Sequence, residues 1–325
     1  SEALPFDDNG YAKVKRDGRY YFLDTLGAEY LLATEISQLS PAVQALDLSN
    51  KNLDTLSTLI WENPQLQVLS LASNHFSALP VELGNMVNLR LLDLSSNRLK
   101  VLPQVIGQLT QLQSLYLNDN QLEVFPEESG RLTRLSTLSM ANNKLKVLPR
   151  NITQLSKLRR LDISGNQFSS LPPAIYSFNH LEWLFMQDNQ LTELPVGIQN
   201  LRNLQWLDIS NNKLSSLAPE TGSLKKLLWL YISSNQIETL PPEIGQLTNL
   251  EWLLIQKNRL TELPPELVQL NRLEWLDTSD NQLEALPLEM DDLRALEHLD
   301  LTGNPLHKDL MTKLQTALPL CVILH

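Results

Sequence analysis

The chain has a single cysteine, Cys321, among 325 residues, so no intrachain disulfide and no cysteine-built zinc or redox site can form. Stability must come from packing. No run of eighteen apolar residues occurs, which argues against insertion into a membrane. Positive charge is scarce: 26 Lys and Arg face 37 Asp and Glu, for a net charge of −11. An acidic chain lacks the basic footprint that neutralises phosphates, so nucleic acid and anionic membrane surfaces are poor partners. The patterns H-E-x-x-H, C-x-x-C, G-x-S-x-G, G-x-G-x-x-G and the phosphate loop are all missing, and there are only five histidines. No catalytic residue, cofactor or metal site is expected. The start, Ser1-Glu2-Ala3-Leu4, lacks an initiator Met, a basic n-region and an apolar h-region. A removed leader or upstream region is compatible with that start, so localisation is open, with the cytoplasm favoured slightly over secretion.

What is present is a repeat. Asn74, Asn97, Asn120, Asn143, Asn166, Asn189, Asn212, Asn235, Asn258, Asn281 and Asn304 lie on one 23-residue lattice without insertion or deletion, and one step back falls on Lys51. Each point sits in the frame L-x-x-L-x-L-x-x-N-x-L, as in Leu89-Arg90-Leu91-Leu92-Asp93-Leu94-Ser95-Ser96-Asn97-Arg98-Leu99. Proline follows six residues after the Asn in nine of the ten units from Asn74 to Asn281, Ala218 being the exception. With these residues the chain resembles the leucine-rich repeat proteins, of the short intracellular or bacterial type. The resemblance covers roughly residues 41 to 306.

The alternation L-x-L predicts a short strand with one buried face, and P-x-x-I-G-x-L-x-x-L predicts a turn or short helix that returns the chain. Neither half can hide its leucines alone, so the units must stack. The expected fold is α/β: a leucine-rich repeat solenoid, or horseshoe, with a parallel concave sheet and short helices or turns on the convex side. The Asn tolerates the turn conformation after the strand, and its amide can satisfy backbone groups left unpaired there. Carboxylates between the strand leucines, such as Asp93 and Asp162, read as a solvated face. Three segments follow: an N-terminal cap over 1–40, twelve repeats over 41–305 and a C-terminal cap over 306–325. The first cap is predicted as a hairpin at Asp17-Gly18 followed by a helix over 28–38, the last as a helix over 309–317 and an apolar run that encloses Cys321. Residues 10–27 also resemble, weakly, one bacterial Trp-Gly β-repeat, with Tyr20-Tyr21 in place of the Trp-Gly pair.

The informative column is aromatic. The position before the first strand leucine shares the solvent-facing side with the position between the leucines. Trp183, Trp206, Trp229, Trp252 and Trp275 occupy it in succession, five of the chain's six tryptophans, with Arg160 before them and His298 after. In-register indoles on strands roughly 4.8 Å apart form a stripe about 19 Å long. The neighbouring column contributes Phe185 and Tyr231, alternating with Asp208 and Asp277. An aromatic ridge inside an acidic rim is the composition of a protein interface. The leading expectation is therefore a non-enzymatic module that binds a protein partner, of unknown identity, through this ridge. Carbohydrate binding by the aromatic ladder and the recognition half of a larger enzyme are the alternatives, and an exposed ridge also allows a homodimer.

Overall fold

A computed structural model describes residues 2–3, 11–16, 18–24 and 27–325. The chain divides into two compact units, Ser1–Leu158 and Arg159–His325. The first contains strands β1 (Glu2–Ala3), β2 (Tyr11–Arg16), β3 (Arg19–Asp24), β4 (Glu29–Ala33), β5 (Ala45–Asp47), β6 (Val68–Ser70), β7 (Leu91–Asp93), β8 (Ser114–Tyr116) and β9 (Thr137–Ser139). β1 to β4 pair antiparallel in sequence, whereas β4 joins β5, and β5 to β9 join one another, in parallel.

The second unit contains β10 (Arg160–Asp162), β11 (Trp183–Phe185), β12 (Trp206–Asp208), β13 (Trp229–Tyr231), β14 (Trp252–Leu254), β15 (Trp275–Asp277), β16 (His298–Asp300), helix α1 (Lys308–Ala317) and β17 (Val322–Leu324). Its strands are parallel throughout, in register every 23 residues from β10 to β16. The middle leucine of each, from Leu161 to Leu299, is fully buried. This is the predicted α/β repeat architecture.

The return segments are one-turn 3-10 helices rather than α-helices. Eight span five residues behind a proline, such as Pro103 before Gln104–Gln108 and Pro241 before Pro242–Gln246. The pyrrolidine ring fixes the φ needed there. Ala218, which breaks the proline pattern, adopts the same φ of −68° and is followed by Pro219 at the first position of its turn. Five residues are too few for an α-helical ladder, and the tighter winding also lets Gly245 lie where a Cβ would stand 2.2 Å from the Glu266 carbonyl oxygen of the next repeat.

The asparagine column is structural, with one correction. Asn97 Oδ1 accepts the Phe76 amide at 3.0 Å, while its Nδ2 donates to the carbonyls of Leu71, Leu94 and Ser95 at 3.0–3.1 Å. The left-handed turn residue is not this Asn but its predecessor: Ser96, Asp119, Asn142, Asp188, Asn211, Ser234, Lys257 and Asp280 have φ between 52° and 58°. The Asn needs ordinary backbone geometry to aim its amide inward.

Two cap expectations also change. The stretch predicted as a helix over 28–38 is strand β4 followed by a three-residue turn, Ile36–Gln38. Tyr30 and Leu32 alternate into the core and the strand pairs on both edges, which outweighs the helical spacing. The hairpin of β2 and β3 forms, with Gly18 at φ +75°; Asp17 lies outside the described residues. At the other end, α1 buries Leu314, and Leu318 just beyond it is buried too, but Ala317 is exposed and the following run is only partly covered: Leu320 is 94% exposed.

Candidate functional site

The aromatic ridge lies entirely within the second unit, on the open face of its parallel sheet. Trp183 pairs with Trp206, then Trp229, Trp252, Trp275 and His298 in turn, each one strand further along. All five indoles and His298 are half-buried. Alternation puts their bodies on the solvent side while the leucines between them point inward.

The rings do not form one uniform ladder. Trp206 sits at the centre of a four-ring group: its centroid is 5.4 Å from Phe185 and from Tyr231, both edge-on, and 5.1 Å from Trp229 at an interplanar angle of 55°. A second group joins Trp252 to Trp275 at 5.4 Å and 37°, and Trp275 to His298 at 4.3 Å and 28°. Among the described residues no ring contact links Trp229 to Trp252. Arg160 does not cap Trp183 as its place in the column suggests; its guanidinium carbon lies 5.1 Å from the centroid of Phe185. The Trp206 Nε1 is buried and without a hydrogen-bond partner, a desolvated donor within the larger group.

The carboxylates interleaved with these rings are less solvated than expected. Asp162, Asp208 and Asp277 are half-buried, and Asp47 and Asp93 of the first unit are buried. Each Oδ1 accepts a backbone amide two residues on, from Ser210 to Asp208 at 3.0 Å and from Ser279 to Asp277 at 2.9 Å, which braces the turn after the strand. Asp277 takes the Ser279 hydroxyl as well, at 2.7 Å. Where an apolar residue replaces the Asp, at Phe185 and Leu254, a glutamine stands two residues on, and the Oε1 atoms of Gln187 and Gln256 are buried without partners. Burial holds Asp208 above the usual carboxylate range against the Ser210 bonds, helped by the charges of Asp188 and Asp162. Tyr231 is likewise raised, by burial and then by Asp208.

No group of three or more metal-ligating side chains occurs among the described residues, and no helix among them is long and apolar enough to cross a membrane. The first unit carries its own polar cleft of about 180 Å³ around Asp47, Asp93, Ser70 and Lys13, with Lys13 ion-paired to Asp47 and its Nζ 5.6 Å from the Phe22 ring. Nothing in the repeat pattern pointed to that pair, because Lys13 precedes the repeats.

Comparison with known proteins agrees with this architecture. A leucine-rich repeat region model matches residues 33–164 and 174–253, and further leucine-rich repeat models match 248–306 and 157–178. Among solved structures, a leucine-rich repeat protein of Leptospira interrogans is 30% identical with a TM-score of 0.58, over 90% of this chain and 99% of that one. YopM from Yersinia enterocolitica is 29% identical with a TM-score of 0.59, over 81% and 52%. The ectodomain of the plant membrane receptor kinase GASSHO1/SCHENGEN3 from Arabidopsis thaliana, in complex with CASPARIAN STRIP INTEGRITY FACTOR 2, is 25% identical with a TM-score of 0.72, and the chain spans 92% of itself but 40% of that receptor. A search of the curated proteins finds no match. The chain belongs to the leucine-rich repeat proteins, a family of which protein–protein interaction is typical.

Proposed function

We propose that the protein acts by binding alone, and that the sheet face from Trp183 to Trp275 grips an extended segment of a protein partner. The observation that carries this reading is the in-register succession of five half-buried indoles on one sheet face. Large aromatic side chains at the centre of a polar border are the residues that dominate interface energetics. Acidic neighbours, with Asp208 and Asp277 on the ridge and Asp188 and Asp280 beside it, favour a partner with basic flanks. The plant receptor ectodomain, solved in complex with its factor, supports a binding role by analogy. Stacking of sugars is disfavoured by the ring angles: Trp206 meets Phe185 at 64° and Tyr231 at 71°, so the rings do not line up as one continuous flat platform.

The test is selection of random displayed peptides on the wild-type chain, with the Trp229→Ala/Trp252→Ala variant as counter-target. Trp229 and Trp252 belong to different ring groups, so the double variant opens both. Enriched peptides that lose the variant support the reading; peptides that bind both chains equally refute it.

A further inference from the structure

Asp208 stands between Phe185 and Tyr231 in strict register, on the same face as Trp206 and Trp229. The register thus sets one carboxylate beside the four-ring group centred on Trp206. Of that carboxylate, Oδ1 accepts the Ser210 amide, and no ion pair neutralises it among the described residues. The neighbouring charges that act on it most, Asp188 and Asp162, are both anionic. A half-buried anion without a counter-ion, set beside a group of aromatic rings, can attract a cation twice over, through charge and through the quadrupole of a ring face.

We infer that this four-ring group with Asp208 is a cation pocket that receives the side chain of an arginine carried by the partner segment. The inference rests on the ridge being the binding face. Guanidinium is chosen over ammonium because it is planar, stacks on aromatic faces and is less strongly hydrated, so it loses less on entering a partly desolvated site. The molecule already shows the fit from inside: Arg160 lies over Phe185, the outer ring of the same group. Asp277, by contrast, has Leu254 and Asp300 as its register neighbours, neither of them aromatic, which makes it an internal control.

The experiment follows the six indole N–H signals of the ¹⁵N-labelled full chain, assigned by single Trp→Phe variants. The probes are N-acetyl-arginine methylamide, its lysine counterpart, and N-acetyl-citrulline methylamide, which keeps the shape and lacks the charge. The arginine probe should shift the Trp206 and Trp229 signals saturably, with the citrulline probe at least about tenfold weaker and the lysine probe intermediate. Asp208→Asn should weaken the arginine response about tenfold, with dispersed signals proving that it is folded, while Asp277→Asn leaves it unchanged. Equal response to citrulline, an Asp208→Asn variant that responds like wild type, or shifts centred on Trp275 would overturn the inference. Peptides selected on the ridge and lost on the Trp229→Ala/Trp252→Ala variant would then still support the ridge as an apolar surface, so the two readings fail separately.

Discussion

Trp275 and His298 stack nearly face to face, with ring centroids 4.3 Å apart and planes 28° from parallel. The pair closes the distal end of the ridge: β16 continues the sheet with an imidazole where the preceding strands carry indoles, and β17 continues it with the exposed Val322. Replacing His298 with Ala should therefore expose one face of Trp275. The expected cost is about 0.5–1.5 kcal/mol, with increased acrylamide quenching of the tryptophan emission as the readout.

The asparagine ladder should carry far more stability than any ring contact. Asn212 Oδ1 accepts the Leu191 amide and its Nδ2 donates to Met186, Ile209 and Ser210, bonds of 2.9–3.1 Å in a dry setting. Asn212→Ala strands several buried groups and should destabilise by about 2–4 kcal/mol in urea denaturation. Asn211→Gly, one residue earlier at φ +52°, should cost little, because glycine accepts that backbone freely.

Adding a methyl group at Gly245 should destabilise by about 1–3 kcal/mol, since the Cβ meets a backbone carbonyl that has no freedom to retreat. The thermal midpoint of Gly245→Ala reports this directly. A variant as stable as wild type would mean that adjacent turns are looser than the packing indicates.

Much of this was legible beforehand. The Asn lattice and L-x-L frame determine strand positions, register and burial, because a 23-residue repeat without insertions permits only one stacking. The proline column likewise marks where each return turn begins. Three features were not legible. Asn tolerates the turn conformation after the strand, but the left-handed φ falls on its predecessor, and the inward hydrogen bonds that keep the Asn out of it become visible only in three dimensions. Strand β4 carries helix-like spacing, and only its partners on both edges decide the matter. The division of the tryptophan column into two ring groups depends on rotamers, which a column of identical letters does not reveal; nor does it reveal Arg160 turning from Trp183 to Phe185.

Cys321 should be slow to react. Burial pushes its thiol up to about 11, so the neutral form is favoured and the thiolate fraction at pH 8 is about one in a thousand. Labelling by a thiolate-specific reagent should accelerate sharply on unfolding in denaturant.

Asp208→Asn should stabilise the unliganded chain at neutral pH. Its folded carboxyl is held above the ordinary value of 3.8. The native state therefore binds that proton more tightly than the unfolded state, and stability at this site falls as pH rises from 3.8 through the folded value and stays reduced above it. The Asn variant should lose that component of the pH dependence, as thermal midpoints across acidic and neutral buffers would reveal.

The central claim is that the ridge is the binding face, and calorimetric titration of one selected peptide tests it most directly. The titrated chains are the wild type, the Trp229→Ala/Trp252→Ala variant, and Val101→Ser/Val124→Ser, which alters two exposed valines of the other unit. The account predicts wild-type affinity for the valine variant and a loss of at least about 30-fold for the tryptophan variant, the effect of one interface hot spot. Equal affinity for the folded tryptophan variant and the wild type would contradict it.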